Sequence, residues 1–165
     1  MIIMKFLRNI PLVLVLAVTV LFSSCKPGDD PDPFEKVQLA KFAKTWTISS
    51  AKLGSTVRDD FSTLSLVIAG TFNTSSPKGP YQYTVNGTRP NPSPWPASGS
   101  WSFAEGEGAK TTIIRDSGTN EVQMSYVLSA DAKTLTLNFT VAGTGWAGSR
   151  TNEVEGNWEF IFTTN

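Results

Sequence analysis

The chain has 165 residues, with 14 Lys and Arg against 14 Asp and Glu, one cysteine and no histidine. A lone thiol and the lack of imidazole exclude Ser-His-Asp and Cys-His catalysis and the usual transition-metal ligand sets. Two of the basic residues, Lys5 and Arg8, lie in the leading segment, and the other 12 form no basic block against the 14 acids. This charge pattern argues against a nucleic-acid partner.

After Lys5 and Arg8 comes an apolar run from Ile10 to Phe22, interrupted only by Pro11 and Thr19. Its 13 residues fall short of the roughly 20 needed to cross a bilayer, and a basic flank followed by an apolar centre is the layout of a secretory signal. The exit, Leu21-Phe22-Ser23-Ser24-Cys25, resembles the lipobox of bacterial lipoproteins. That resemblance implies a signal peptide over residues 1–24 and diacylation of Cys25. Two acyl chains suffice for stable attachment, so the expected state is anchored to a membrane without spanning it. Residues 25–33 carry three prolines, a glycine and three acids and read as an extended tether. Lys26 and the Asp29-Asp30 pair resemble the surface-export signal of lipoproteins from the Bacteroidota, which implies an outer-membrane protein facing outward. The periplasmic face is the alternative.

From Phe34 onward a single domain is expected. Phe34, Val37, Leu39 and Phe42 suit a short helix over 34–43. The period then changes to two. Strands are expected over Trp46–Lys52, Thr63–Ala69, Tyr81–Val85, Ser100–Ala104, Thr111–Arg115, Glu121–Ser129, Thr134–Val141 and Asn157–Thr163. Apolar residues such as Leu135, Leu137 and Phe139 share one face, while Gln123, Ser125, Thr136, Asn138 and Glu159 take the other. Turn signals separate the strands, among them Asn86-Gly87, Asp116 to Asn120 and Ala130 to Lys133. The fold class is therefore all-β, with about eight antiparallel strands arranged as an up-and-down β-barrel or a β-sandwich; both hide sheet edges while burying one face.

Lys44-Thr45-Trp46, which opens the first strand after a short helix, resembles the Gly-x-Trp start of lipocalins, and Gly156-Asn157-Trp158 is similar to the last strands of small lipocalin-like lipoproteins. Lysine stands where the pattern has glycine, and Gly99-Ser100-Trp101 repeats the pattern elsewhere in the chain. The resemblance implies a barrel interior wide enough for one small apolar ligand and no catalytic machinery.

Trp46, Trp101 and Trp158 sit within alternating strands and read as core. Trp95 and Trp146 lie in proline- and glycine-rich loops, where an indole serves either as an exposed platform for a glycan or partner protein or as a lid over its own core. Glu105 and Glu107, paired with Glu153 or Glu155, have no spacing specific to glycoside hydrolysis. Asp59, Asp60 and the Asp116 to Asn120 turn lack the ligand periodicity of a calcium loop. The expected function is thus non-enzymatic and cofactor-free: a lipid-anchored envelope protein binding a small apolar molecule inside its barrel. The alternative is a surface-exposed module recognising a glycan or a protein through Trp95 and Trp146.

Overall fold

The two-residue period of the sequence becomes the inward and outward alternation of a closed sheet. The computed structural model describes residues 31–118, 120–142 and 154–165, and Pro33–Asn165 form one compact unit. Helix α1 spans Phe34–Phe42. The strands are β1 (Thr45–Leu53), β2 (Thr56–Val57), β3 (Ser65–Ala69), β4 (Tyr81–Asn86), β5 (Ser98–Phe103), β6 (Thr112–Arg115), β7 (Val122–Leu128), β8 (Thr134–Val141) and β9 (Gly156–Thr163). Single 3-10 turns occupy Asp59–Phe61 and Gly106–Lys110.

Every sheet neighbour is antiparallel, and β1 and β3 through β9 follow one another around the ring until β9 pairs back onto β1. The molecule is an eight-stranded up-and-down barrel rather than a sandwich, with β2 a short flap on β1. Each of the eight expected strands is present, with ends shifted by two residues at most.

The alternation is strict in β4, where Tyr81, Tyr83 and Val85 are buried and the residues between them exposed. In β1 it slips by one. Trp46 and Ile48 face inward at the start of the strand and Ala51 at its far end, because a bulge between Ile48 and Ser50 absorbs one residue. Such a bulge re-aims the strand without breaking the ring.

Antiparallel order brings the starts of β1, β4, β6 and β8 and the ends of β3, β5, β7 and β9 to one rim. Helix α1 closes that rim. Leu39 and Phe42 are buried while Phe34 and Val37 stay exposed, so only one turn-to-turn stripe of the expected apolar set faces the barrel. Phe42 packs edge-on to Tyr126 at 5.0 Å and against Trp101 at 5.5 Å. Its carbonyl accepts the Trp46 indole N–H at 2.9 Å. At the opposite rim the 3-10 turn inserts Phe61 edge-on to Phe160 at 5.2 Å and Trp158 at 5.5 Å.

All three tyrosines of the chain, Tyr81, Tyr83 and Tyr126, are buried, and burial pushes each phenol above its ordinary value, Tyr126 to about 12. A folded pKa above the unfolded value near 10 means stability that is complete below pH 10 and lost as pH rises toward 12. Tyrosinate absorbance followed against pH should therefore rise later than that of free tyrosine, above pH 10. Titration of all three tyrosines at the free value in the folded protein would contradict this packing.

Candidate functional site

The short strand β6 carries one charge into the barrel. Alternation puts Arg115 on the same side as the buried Ile113, and Arg115 is only 5% exposed. Its guanidinium lies 4.9 Å from the Trp95 ring and 5.3 Å from the Phe139 ring, within cation–π range. Nη1 donates to the Pro94 carbonyl at 3.0 Å, and Nε stands 3.3 Å from Asp116 Oδ2. Burial pulls the guanidinium pKa down, and the Asp116 carboxylate opposes that shift.

Asp116 takes a left-handed backbone, φ 53°, which aspartate tolerates better than most residues. Its Oδ2 accepts the Tyr83 hydroxyl at 2.8 Å and its Oδ1 the Ser100 N–H at 3.1 Å. This explains Gly99, since a Cβ there would lie 2.0 Å from Asp116 Oδ1. The Asp116 carboxylate is thus committed to the fold, and the calcium reading of the turn loses its first ligand. Glu105 and Glu107 are salt-bridged at the surface to Lys78 and Lys110, and Glu153 lies outside the described residues.

The connection from β4 to β5 delivers Trp95. Arg89 Nη1 donates to the Trp95 carbonyl at 3.0 Å, and the Ser93 hydroxyl accepts the Trp95 backbone N–H at 3.2 Å. Trp95 is 3% exposed and meets Tyr83, Phe139 and Phe160 edge-on at 6.0, 5.6 and 5.7 Å. Of the two readings of this loop indole, its burial fits the lid over the core, and Trp95 is not an exposed platform. The indole turns inward onto Phe139, Phe160 and Arg115, because burying a large ring gains more than presenting it to water. The second tryptophan of that expectation, Trp146, lies outside the described residues, as does Cys25.

Around Trp95 the interior retains a cavity of about 20 Å³, lined by Leu66, Tyr83, Trp101, Arg115 and Met124 among others. That is room for about one water molecule, against roughly 300–1,000 Å³ for a typical small-molecule site.

The outer face is different. Thr112, Ser125, Asn138, Glu159 and Lys52 stand directly opposite one another across β6, β7, β8, β9 and β1. Thr140 and Asn157 form a neighbouring row, with Thr140 Oγ1 donating to Asn157 Oδ1 at 2.7 Å. Lys52 and Glu159 are salt-bridged at 2.9 Å and partly exposed, a pair worth about 0–1 kcal/mol to stability. These residues, with Gln123, line an open groove of about 1010 Å³. Hydroxyls, amides, an ammonium and a carboxylate repeat across it at the inter-strand spacing of about 4.8 Å.

No family model, curated protein or solved structure matches this chain. Function must then be argued from the site alone.

The outward set Gln123, Ser125, Asn138 and Glu159 follows from the sequence period. The pattern Ile113-x-Arg115 places Arg115 inward as well, while its charge argues for the surface.

Proposed function

We propose that this chain is a non-enzymatic, lipid-anchored module of the bacterial cell envelope, held by Cys25 and facing outward from the outer membrane, that recognises a hydroxyl-rich ligand, a glycan, across its outer groove. The observation that carries this reading is the register of the outer face, which sets Thr112, Ser125, Asn138, Glu159 and Lys52 in one row along an open groove with Gln123, Thr140 and Asn157 beside it. Neutral hydroxyls match a surface of amides and hydroxyls that both donate and accept. The lipocalin-like barrel then serves as a rigid scaffold, which holds such groups in register better than a loop does.

The mature chain carrying Cys25→Ala, titrated calorimetrically with pentasaccharides of glucose, mannose, xylose and N-acetylglucosamine, tests the reading. Saturable binding of at least one sugar is expected, weakened about tenfold or more by the pair Ser125→Leu and Asn138→Leu, which removes two or more hydrogen bonds. Silence across the panel, or undiminished binding by the double variant, would overturn it. In cells, Cys25→Ala should release the protein from the membrane fraction. Retention there would overturn the anchor and leave the groove untouched.

A further inference from the structure

The two ends of the barrel differ in charge. At the rim that α1 closes, Lys78 and Lys110 are paired with Glu105 and Glu107, which leaves Lys36, Lys41, Lys44 and Lys133 against Glu35 and Asp131, an excess of two positive charges. The Lys44 ammonium donates to the Ala132 carbonyl at 3.1 Å, so the turn that carries Lys133 lies beside the end of α1. Among the described residues at the opposite rim, Asp59, Asp60, Glu121 and Glu155 stand against Arg58 and Arg89, an excess of two negative charges. Arg115 with Asp116, and Lys52 with Glu159, cancel in pairs.

Helix α1 adds apolar surface to the positive end. Of the four large apolar side chains exposed among the described residues, Phe34, Val37, Val57 and Val127, two stand three residues apart on this one helix. Ala40 and Lys41, both exposed, continue the same outward stripe, while Leu39 and Phe42 turn to the barrel. Exposed apolar side chains flanked by lysines are the pattern of a helix that lies among lipid headgroups. The chain outside the barrel supplies the partner. Helix α1 begins nine residues after Cys25, a length that spans at most about 30 Å even when fully extended.

From this we infer that the α1 rim is a second membrane contact, resting on the phosphate headgroups of the bilayer that holds Cys25. Phe34 and Val37 enter the interfacial layer, and Lys41 and Lys133 meet lipid phosphates. Lysine suits this position, because its stem lies along apolar surface while the ammonium reaches the polar layer. The inference rests on the Cys25 anchor proposed above. Alone, the contact is weak, each lysine contributing about fivefold in affinity, and physiological salt screens it. The anchor makes the contact intramolecular, so a weak surface is enough to orient the barrel. The acidic rim then points away from the membrane, and the outer groove lies on the flank.

The experiment cosediments the mature chain with Cys25→Ala, which has no acyl chains, with vesicles of phosphatidylglycerol and of phosphatidylcholine at low salt. Partition onto phosphatidylglycerol is expected at millimolar lipid, and about tenfold less onto phosphatidylcholine. Lys41→Glu with Lys133→Glu should lower it by about tenfold or more. Phe34→Ser with Val37→Ser should lower it by about fivefold or more, and Val37→Ser alone, which spares the Phe34 contact with Phe103, by about twofold. Val57→Ser with Val127→Ser removes the other two exposed apolar side chains and should change nothing. No partition onto phosphatidylglycerol, equal partition onto both lipids, or equal losses from the two double serine variants would each overturn the inference. Partition that appears only after Asp29→Asn and Asp30→Asn would also overturn it, since the acidic tether would then be what covers the rim. Because the protein tested carries no acyl chains, these outcomes are separate from whether Cys25 anchors it in cells.

Discussion

Trp158→Ala is expected to lower the unfolding free energy by about 3–5 kcal/mol, the range for truncating a buried large aromatic side chain. Trp158 is 2% exposed, stacks on Phe160 at 5.4 Å and meets Phe61 edge-on at 5.5 Å, so its loss leaves a cavity between two rings that cannot collapse freely in a closed sheet. The Arg58 guanidinium lies 5.2 Å from the ring and would lose part of its support. Trp158→Phe separates the two contributions. It keeps most of the volume and removes only the N–H bond to the Val154 carbonyl, 2.8 Å, for a cost near 1 kcal/mol. Urea denaturation of the three proteins measures both values. A loss below about 1 kcal/mol for Trp158→Ala would place the residue at the surface and shift the register of β9.

Arg115→Ala is expected to cost about 3–5 kcal/mol, for a different reason. Breaking a buried pair leaves the partner charge without compensation, and that penalty usually exceeds what the pair contributed. Asp116, with a side chain 17% exposed, keeps its bonds to Tyr83 and Ser100 but loses the cation 3.3 Å away. The same change deletes the hydrogen bond to the Pro94 carbonyl and the stacking under Trp95. The loop from residue 87 to residue 97 should therefore loosen along with the fall in global stability. Denaturant unfolding combined with limited proteolysis distinguishes the two effects. A stability loss under about 1 kcal/mol with unchanged cleavage in that loop would mean that Arg115 is neither buried nor holding the plug.

Most of the barrel was legible in the sequence because a half-buried strand writes its two faces in alternate residues. β4, β8 and β9 show this plainly, and their inward sets could be read without any structure. Barrel and sandwich share that pattern. The pairing of Ile48 with Phe162 and of Leu53 with Trp158, which closes the ring, depends on residues more than a hundred positions apart and leaves no local mark. The bulge in β1 was equally hidden, since it changes register without changing composition. The groove was half legible: the polar face was evident, but its alignment into a row from Thr112 to Lys52 is a property of register.

Trp95 shows where local reasoning stops. Pro92, Pro94 and Pro96 mark a stiff loop, and stiffness is compatible with aiming an indole either outward or inward. The choice was made by partners distant in sequence, Phe139, Phe160 and Arg115, which together offer the ring an aromatic slot and a cation. Arg115 was obscured by its charge, because arginine is rarely fully buried unless paired, and its pairing with Asp116 needs a left-handed backbone at the very next residue.

The most direct test of recognition on the outer groove is the response of the side-chain amide resonances of Gln123, Asn138 and Asn157 as the mature chain with Cys25→Ala is titrated with the pentasaccharide it binds best. The account predicts that these three amides, drawn from β7, β8 and β9, shift together and saturate at one common affinity, while the Trp95 and Trp101 indole resonances stay in place. Saturable sugar binding that leaves all three amides unmoved would contradict it.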